Sequence, residues 1–394
     1  MRVSQTFIPI NGPKGIAIND EVRRTLFLGA FLGTAGAATL AIWSSDPLVE
    51  WTYELGMFVL AGAVVLRENL SFRPTLAIVT VLALWGFGQL ATGATIYRYA
   101  TLSASLRVAG LGATMLVASA LFRRQDAREQ FLRWFSWFAF SLSLTAVVAY
   151  YTSPGRVLWL FPSRYPDIWG PFLSRNNFAQ FLELAFPVCL WLACTRLNTL
   201  YLGMSASMLA CGFVSASRAG AILLIVEAII VFMLVSRRAS RRLIPWFALS
   251  AISLAAVAGG EVLVRRMHDS DPFRERREIY GSALSMITER PWSGFGLGNF
   301  PIVYPQFASF DPGATVEHAH NDWLEWSAEG GLPYSALWLL LAITAFRPAL
   351  RSVWGIGVPA VFLHALVDYP FARFGVAAWV FILAGALEKQ EGSQ

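Results

Sequence analysis

Apolar positions along this chain fall into long unbroken runs, with polar residues gathered at the breaks between them. A run of about 20 apolar residues is long enough to cross roughly 30 Å of hydrocarbon as a helix. Runs apolar on every side differ from the half-apolar stripe of a surface helix. The pattern predicts helices near residues 25–44, 48–66, 75–96, 103–122, 131–151, 177–195, 198–214, 219–236, 243–264, 332–347, 353–367 and 371–387. The second, seventh and eleventh runs are the shortest. The expected fold is an all-α integral membrane protein with about twelve transmembrane helices. It forms a single polytopic membrane domain over 1–394. The longest polar interval, residues 265–331, separates the ninth and tenth helices, and a second, 152–175, separates the fifth and sixth.

Composition strengthens this reading. The 394 residues are 56% hydrophobic and only 14% charged, with a mean hydropathy of +0.53, where a soluble domain carries about 25% charge. Cys189, Cys194 and Cys211 all fall inside expected spans, as small apolar packing residues without a disulfide framework or metal-ligand spacing. A polar N-terminal region followed by a run of full spanning length predicts no cleavable signal peptide.

Charge then orients the bundle, because cytoplasmic connections collect Lys and Arg. With the N-terminus inside, the even-numbered connections hold Arg67 and Arg73, then Arg123, Arg124, Arg128 and Arg133, then Arg196, then Arg237, Arg238, Arg241 and Arg242, then Arg347 and Arg351. The tails add Arg2, Lys14, Arg23, Arg24 and Lys389. Both termini are therefore expected in the cytoplasm. The basic residues left on the outer side are all arginine, among them Arg107, Arg164, Arg175, Arg218, Arg265, Arg266, Arg276, Arg277, Arg290 and Arg373. Arginines near the outer ends of spans run against the positive-inside tendency, so the set as a whole calls for a role beyond snorkelling or local pairing.

The 152–175 loop is rich in aromatics, Trp159, Phe161, Tyr165 and Trp169, which are expected to lie as a belt along the membrane interface. The 265–331 loop is the only one large enough to build a site. Within it, Ile279, Tyr280, Ala283, Leu284 and Ile287 space out one apolar face over 276–289, predicting an amphipathic helix on the bilayer surface that ends at Arg290-Pro291. Gly294-Phe-Gly-Leu-Gly-Asn299 follows. It lacks the spacing and the preceding strand of a nucleotide loop, and reads instead as a tight turn bringing backbone close to a neighbour.

Two of the four histidines, His318 and His320, sit in the next stretch, His318-Ala-His-Asn-Asp-Trp323. Histidine takes or gives a proton near neutral pH. If the segment is helical, Asp322 falls on the face of His318, orienting it and leaving His320 free to meet a substrate. A metal pair with Asp322 is the weaker reading, since no HExxH or nearby cysteine accompanies it. Glu183 and Glu227 lie inside expected spans, where an unpaired acid is costly; Arg218 is one candidate partner for Glu183. His364 and Asp368 are four residues apart at an outer helix end, spaced first for a packing hydrogen bond and second for a part in the site.

These motifs resemble the O-antigen ligase and polymerase superfamily of bacterial membrane glycosyltransferases. Its pattern of His, Asn/Ser/Gln, nine residues, Gly, two residues and Gly/Thr/Tyr is met by His320-Asn321, Gly331 and Tyr334. Arg290 to Phe300, Asn176 to Glu183, Ser217-Arg-Ala-Gly220 and His364 to Asp368 also look like this family, in family order. The resemblance implies a GT-C-like membrane fold and transfer of a glycan from an undecaprenyl-pyrophosphate-linked donor, inverting and without a metal or other cofactor. The acceptor it implies is lipid A–core of lipopolysaccharide for a ligase, or another lipid-linked repeat for a polymerase. On that basis His320, Arg218 and Arg290 are the expected catalytic residues. Arg175, Asn177, Arg276, Arg277, His318, Asn321 and Tyr334 are the expected substrate-binding ones. The chain is then expected in the bacterial inner membrane, among membrane lipids and without a nucleic-acid partner, its active site on the periplasmic face. The ligase reading is favoured and a polymerase is the alternative. A transporter would suit the span count but lacks a repeat between halves, and a scaffold would leave the His and Arg cluster without a purpose.

Overall fold

The computed structural model describes residues 20–67, 73–163, 165, 167–235, 241–259, 261–268, 274–309, 313 and 315–388. Arg2, Lys14, Arg164, Arg237, Arg238 and Lys389 lie outside the described residues. The described residues are all-α apart from one two-stranded hairpin. Its helices are α1 Asp20–Leu40, α2 Pro47–Arg67, α3 Pro74–Thr92, α4 Arg98–Leu121, α5 Gln125–Thr152, α6 Arg175–Arg196, α7 Thr199–Val214, α8 Arg218–Val235 and α9 Leu243–Val257. Then follow α10 Glu261–Met267, α11 Arg274–Glu289, α12 Phe300–Val303, α13 Asp322–Arg351, α14 Gly357–His364 and α15 Phe374–Leu387. The hairpin, β1 Arg156–Val157 with β2 Phe161–Pro162, lies between α5 and α6.

Among the described residues α2, α3, α4, α5, α6, α8 and α13 are long and apolar enough to cross a membrane. Shorter apolar segments occupy Thr199–Val214, Leu243–Val257, Val353–His364 and Phe374–Leu387. Many large apolar side chains point outward, Leu66 at 87% and Val257 at 90% exposure being extremes. In water such a surface would drive association; in a bilayer it meets lipid tails.

The centre of the bundle is α6, buried along nearly its whole length between α5, α7, α8, α14 and α15. Alternate connections gather at opposite ends. At one end the α3–α4 turn joins the Gly-rich loop through Ile96 N–H to the Phe295 carbonyl (3.1 Å), and Asp322 N–H reaches the Ala365 and Asp368 carbonyls beyond α14. At the other, Arg73 pairs with Glu388, and Arg196 with Glu129 at 2.8 Å.

Three expectations about the long loops are corrected. The face of α11 built from Ile279, Ala283, Met286 and Ile287 is buried against Phe295, Phe300, Val303, Tyr304 and Ala319, so the helix is spent on a small core of the loop itself rather than laid on lipid. Leu284, expected on that face, is exposed. Trp169 does not join an interfacial belt: it is buried, stacked between Tyr150 (4.1 Å) and Phe178 (5.7 Å), while Trp159, Phe161 and Tyr165 remain exposed. The helix expected from 332 begins at Asp322 and kinks at Gly331, whose φ of 78° and ψ of 171° divide it. Residues 322–330 therefore belong to the loop's architecture, and residues 332–351 form the long apolar part.

Candidate active site at the loop end of the bundle

Three polar side chains of α6, Asn177, Gln180 and Glu183, recur every third residue and so share one face. Each is buried, and each finds a partner, as buried polar groups must. Asn177 donates to the Gln180 side-chain oxygen at 2.9 Å, and Gln180 Nε2 donates to Asp368 Oδ2 at 3.3 Å. Glu183 Oε1 lies 2.7 Å from His364 Nδ1. The partner of Glu183 is thus His364, not Arg218, because Glu183 sits two turns deeper than the end of α6 where the arginines gather.

Arg218 opens α8 after a buried turn in which Ala216 holds a φ of 56°. Ser215, Ser217 and Asn176 fix that turn: Ser217 N–H donates to Ser215 Oγ (3.3 Å), and Ser217 Oγ–H donates to Asn176 Oδ1 (2.9 Å). Gly220 closes the motif; a Cβ there would stand 2.4 Å from that of Ala179, so its absence lets α8 lie against α6. From this base Arg218 Nη1 donates to the Arg266 carbonyl (3.2 Å), and Arg266 Nη1 to the Ala216 carbonyl (3.5 Å). Arg175, opening α6 and 3.5 Å from Asp167, lies within the fields of Arg266, Arg218 and Arg276. Arg276 on α11 donates to the Val367 carbonyl. Four guanidinium groups from four elements therefore converge.

His320 stands beside this cluster. Its segment, 315–319, has no regular secondary structure and is not helical, and His320 itself has a φ of 52°. Asp322 is consequently not the partner of His318: its Oδ2 accepts from Phe371 N–H at 3.0 Å. Glu325, one turn into α13, takes that part, accepting from His318 Nδ1 at 2.9 Å and Ala319 N–H at 2.7 Å. Asn321 caps α13 by accepting from Leu324 N–H. His320 Nδ1 faces Asp368 Oδ1 at 3.6 Å, an ion-pair separation too long for a hydrogen bond. That nitrogen is buried without a hydrogen-bond partner, while the ring as a whole is about a third exposed (35%). The Tyr280 hydroxyl donates to the His320 carbonyl at 3.0 Å.

Charge follows this geometry. Burial pushes the Asp368 carboxyl up, but the His320 imidazole and the charges of His364 and Arg276 outweigh burial and hold it below the usual carboxylate range. Asp368 is therefore an anion at neutral pH, placed to orient His320. Burial raises the Tyr280 and Tyr369 phenols, which stay protonated donors. Among the described residues no three His, Cys, Asp or Glu side chains group as a metal-binding set.

The structure thus brings together His320, Arg218, Arg175 and Arg276 of the residues expected from sequence. Arg277 lies next to them in sequence but on the exposed flank of α11. Arg290 lies past the far end of α11, roughly 20 Å of helix from Arg276, its guanidinium 4.5 Å from the centre of the Phe295 ring. Asn177 and Tyr334 are buried in packing, and Asn321 is committed to its cap. His318 stacks on Tyr369 at 4.5 Å, and His320 meets the same ring edge-on at 4.9 Å. Asp368, Gln180, Arg266, Tyr280 and Glu325 join the site from outside that expected set. Gln180 and Asp368 fall within the stretches Asn176 to Glu183 and His364 to Asp368, and Arg266 within the Arg265-Arg266 pair; these were the signals that could have found them.

No curated protein gives a match to this chain. Residues 203–339 match the family model described as O-antigen ligase, a stretch that takes in Arg218, Arg266, Arg276, His318 and His320. The match covers residues 203–339 of the 394, and that stretch, which carries most of the site, is similar to O-antigen ligases.

Proposed function

We propose that the chain is a glycosyltransferase that moves a glycan from undecaprenyl pyrophosphate to an acceptor sugar, lipid A–core of lipopolysaccharide, at the periplasmic face of the bacterial inner membrane. The observation that carries this reading is the convergence of Arg175, Arg218, Arg266 and Arg276 beside a histidine backed by an ionised aspartate. Guanidinium groups stay charged and bind phosphate oxygens with a planar fork of donors. A pyrophosphate seated on them is a good leaving group, because fixed positive charge meets the negative charge that develops as it departs.

The acceptor hydroxyl oxygen attacks the anomeric carbon from the side opposite the pyrophosphate. The bond from that carbon to the phosphate oxygen breaks, the configuration inverts, and undecaprenyl pyrophosphate leaves with the electron pair. The hydroxyl proton passes to His320, whose charged form Asp368 stabilises; water then takes it from the exposed ring. The arginines supply charge stabilisation of the kind a metal gives in other phosphate chemistry.

The test is surface glycan profiling in a strain deleted for this gene and complemented with wild type or His320→Ala. Loss of long glycan from lipid A–core, with lipid-linked polymer accumulating and His320→Ala failing to restore it, is the expected result. Accumulation of single lipid-linked repeats would make the chain a polymerase. An unchanged profile in the deletion strain would reject both activities.

A further inference from the structure

Tyr369 divides the region around the two histidines. The arginines and Asp368 lie on the side of His320, whereas His318 borders a cavity of about 330 Å³ between α4 and the first part of α13. A second cavity of about 250 Å³ near the α1–α2 turn adjoins the first, with Tyr99, Arg107 and His318 lining both and Arg373 bordering the second alone. Neither belongs to the arginine cluster, and their chemistry differs from it. Tyr97 and Tyr99 stand half exposed, ring centres 6.0 Å apart. Glu317 and Glu325 add carboxylates, while the positive charge of Arg107 is already matched by Glu50, whose Oε2 it meets at 2.9 Å. Deep in the wall, Trp338 is buried with its indole N–H lacking a hydrogen-bond partner.

The larger cavity, lined by tyrosine faces and carboxylates and with its one arginine already paired, disfavours phosphate and suits a sugar ring. The apolar face of a pyranose lies on aromatic rings, and its hydroxyls donate charge-assisted bonds to carboxylates. The unmet indole N–H is free to donate to a ring or hydroxyl oxygen, and a buried polar group gains most from a partner. We infer that the larger cavity is the binding site for the acceptor glycan, taking a neutral or amino-substituted pyranose, with pyrophosphate held on the other side of Tyr369. The inference rests on the transferase reading. It adds that donor and acceptor are sorted by charge: anionic carrier on the arginines, sugar on the tyrosines and carboxylates. His318 and Tyr369 form the wall past which the acceptor hydroxyl reaches His320.

The full chain in lipid nanodiscs is titrated with methyl β-glucoside, methyl β-galactoside and methyl β-glucosaminide by saturation-transfer NMR, and separately with inorganic pyrophosphate. At least one glycoside is expected to bind, and Tyr99→Ala and Glu317→Gln each to weaken it roughly tenfold, a change of about 1.4 kcal/mol. Both residues are exposed, so the variants keep their fold, which monodisperse elution checks. Arg276→Ala is expected to weaken pyrophosphate and leave the glycoside untouched. Absence of glycoside binding to the wild type, full affinity in both cavity variants, or displacement of the glycoside by pyrophosphate would each overturn the inference. Failure of pyrophosphate to bind the wild type would instead count against the transferase reading, so the two fail separately.

Discussion

A non-glycine residue with positive φ is uncommon, costs of order 1–3 kcal/mol and persists where its surroundings hold it. His320 is held in this way, by the Tyr280 hydroxyl on its carbonyl and by the Asn321 cap that starts α13 immediately after it. In this conformation the imidazole Nδ1 lies 3.6 Å from Asp368 Oδ1. Removing the ring in His320→Ala is expected to cut glycan transfer by about 10²–10⁴, the usual worth of a placed general base; a transfer assay in membranes with lipid-linked donor measures it. Asp368 makes a second, opposite kind of prediction. A carboxyl held below its unfolded value adds stability above that value, and the contribution is lost as pH falls through the folded one. Asp368→Asn is therefore expected to melt lower than wild type at pH 7, the gap narrowing as pH drops below about 4. A gap independent of pH would mean that Asp368 acts through packing alone.

Among the elements, the Gly-rich turn fastens the loop to the bundle. Gly294 has a φ of 62°, and a Cβ there would come within 2.2 Å of the Glu329 carbonyl oxygen; Gly331, opposite it, would meet the Trp292 backbone at 2.5 Å. Two backbone stretches touch at the kink that separates 322–330 from 332–351. Gly294→Ala is expected to destabilise by about 1–3 kcal/mol from backbone strain alone, and Gly281→Ala, inside α11 with open space around it, to stabilise by about 0.5–1 kcal/mol. Thermal unfolding of the two variants in detergent compares the signs directly. The same elements mark what sequence can give away. Apolar period locates α11 and turn residues locate the glycine turn, because both are local properties. What each packs against is a long-range property that a period does not carry, so period alone lays α11 on lipid and sets Trp169 at the interface. A helical reading pairs His318 with Asp322, and the non-helical segment hands it to Glu325 instead. The four-arginine cluster draws on α6, α8, α10 and α11, and no spacing in the chain links positions so far apart; only their excess on one side of the membrane hints at it.

Taken as one bundle, the protein's function depends on which end faces which compartment. The alternation of connections groups the hairpin, the 265–331 loop and the site at one end, and Arg196 and Arg73 with their acidic partners at the other. That grouping is fixed by helix order, and the positive-inside tendency predicts that the site end faces outside. The three cysteines are buried, so single introduced cysteines report accessibility over a low background. Tyr165→Cys, on the exposed hairpin side, is expected to react with a membrane-impermeant maleimide in intact cells, and Thr199→Cys, exposed at the α6–α7 turn, only after lysis. The reverse order would invert the bundle. His320 and its arginines would then face the cytoplasm, and the acceptor, rather than the chemistry, would have to be reassigned.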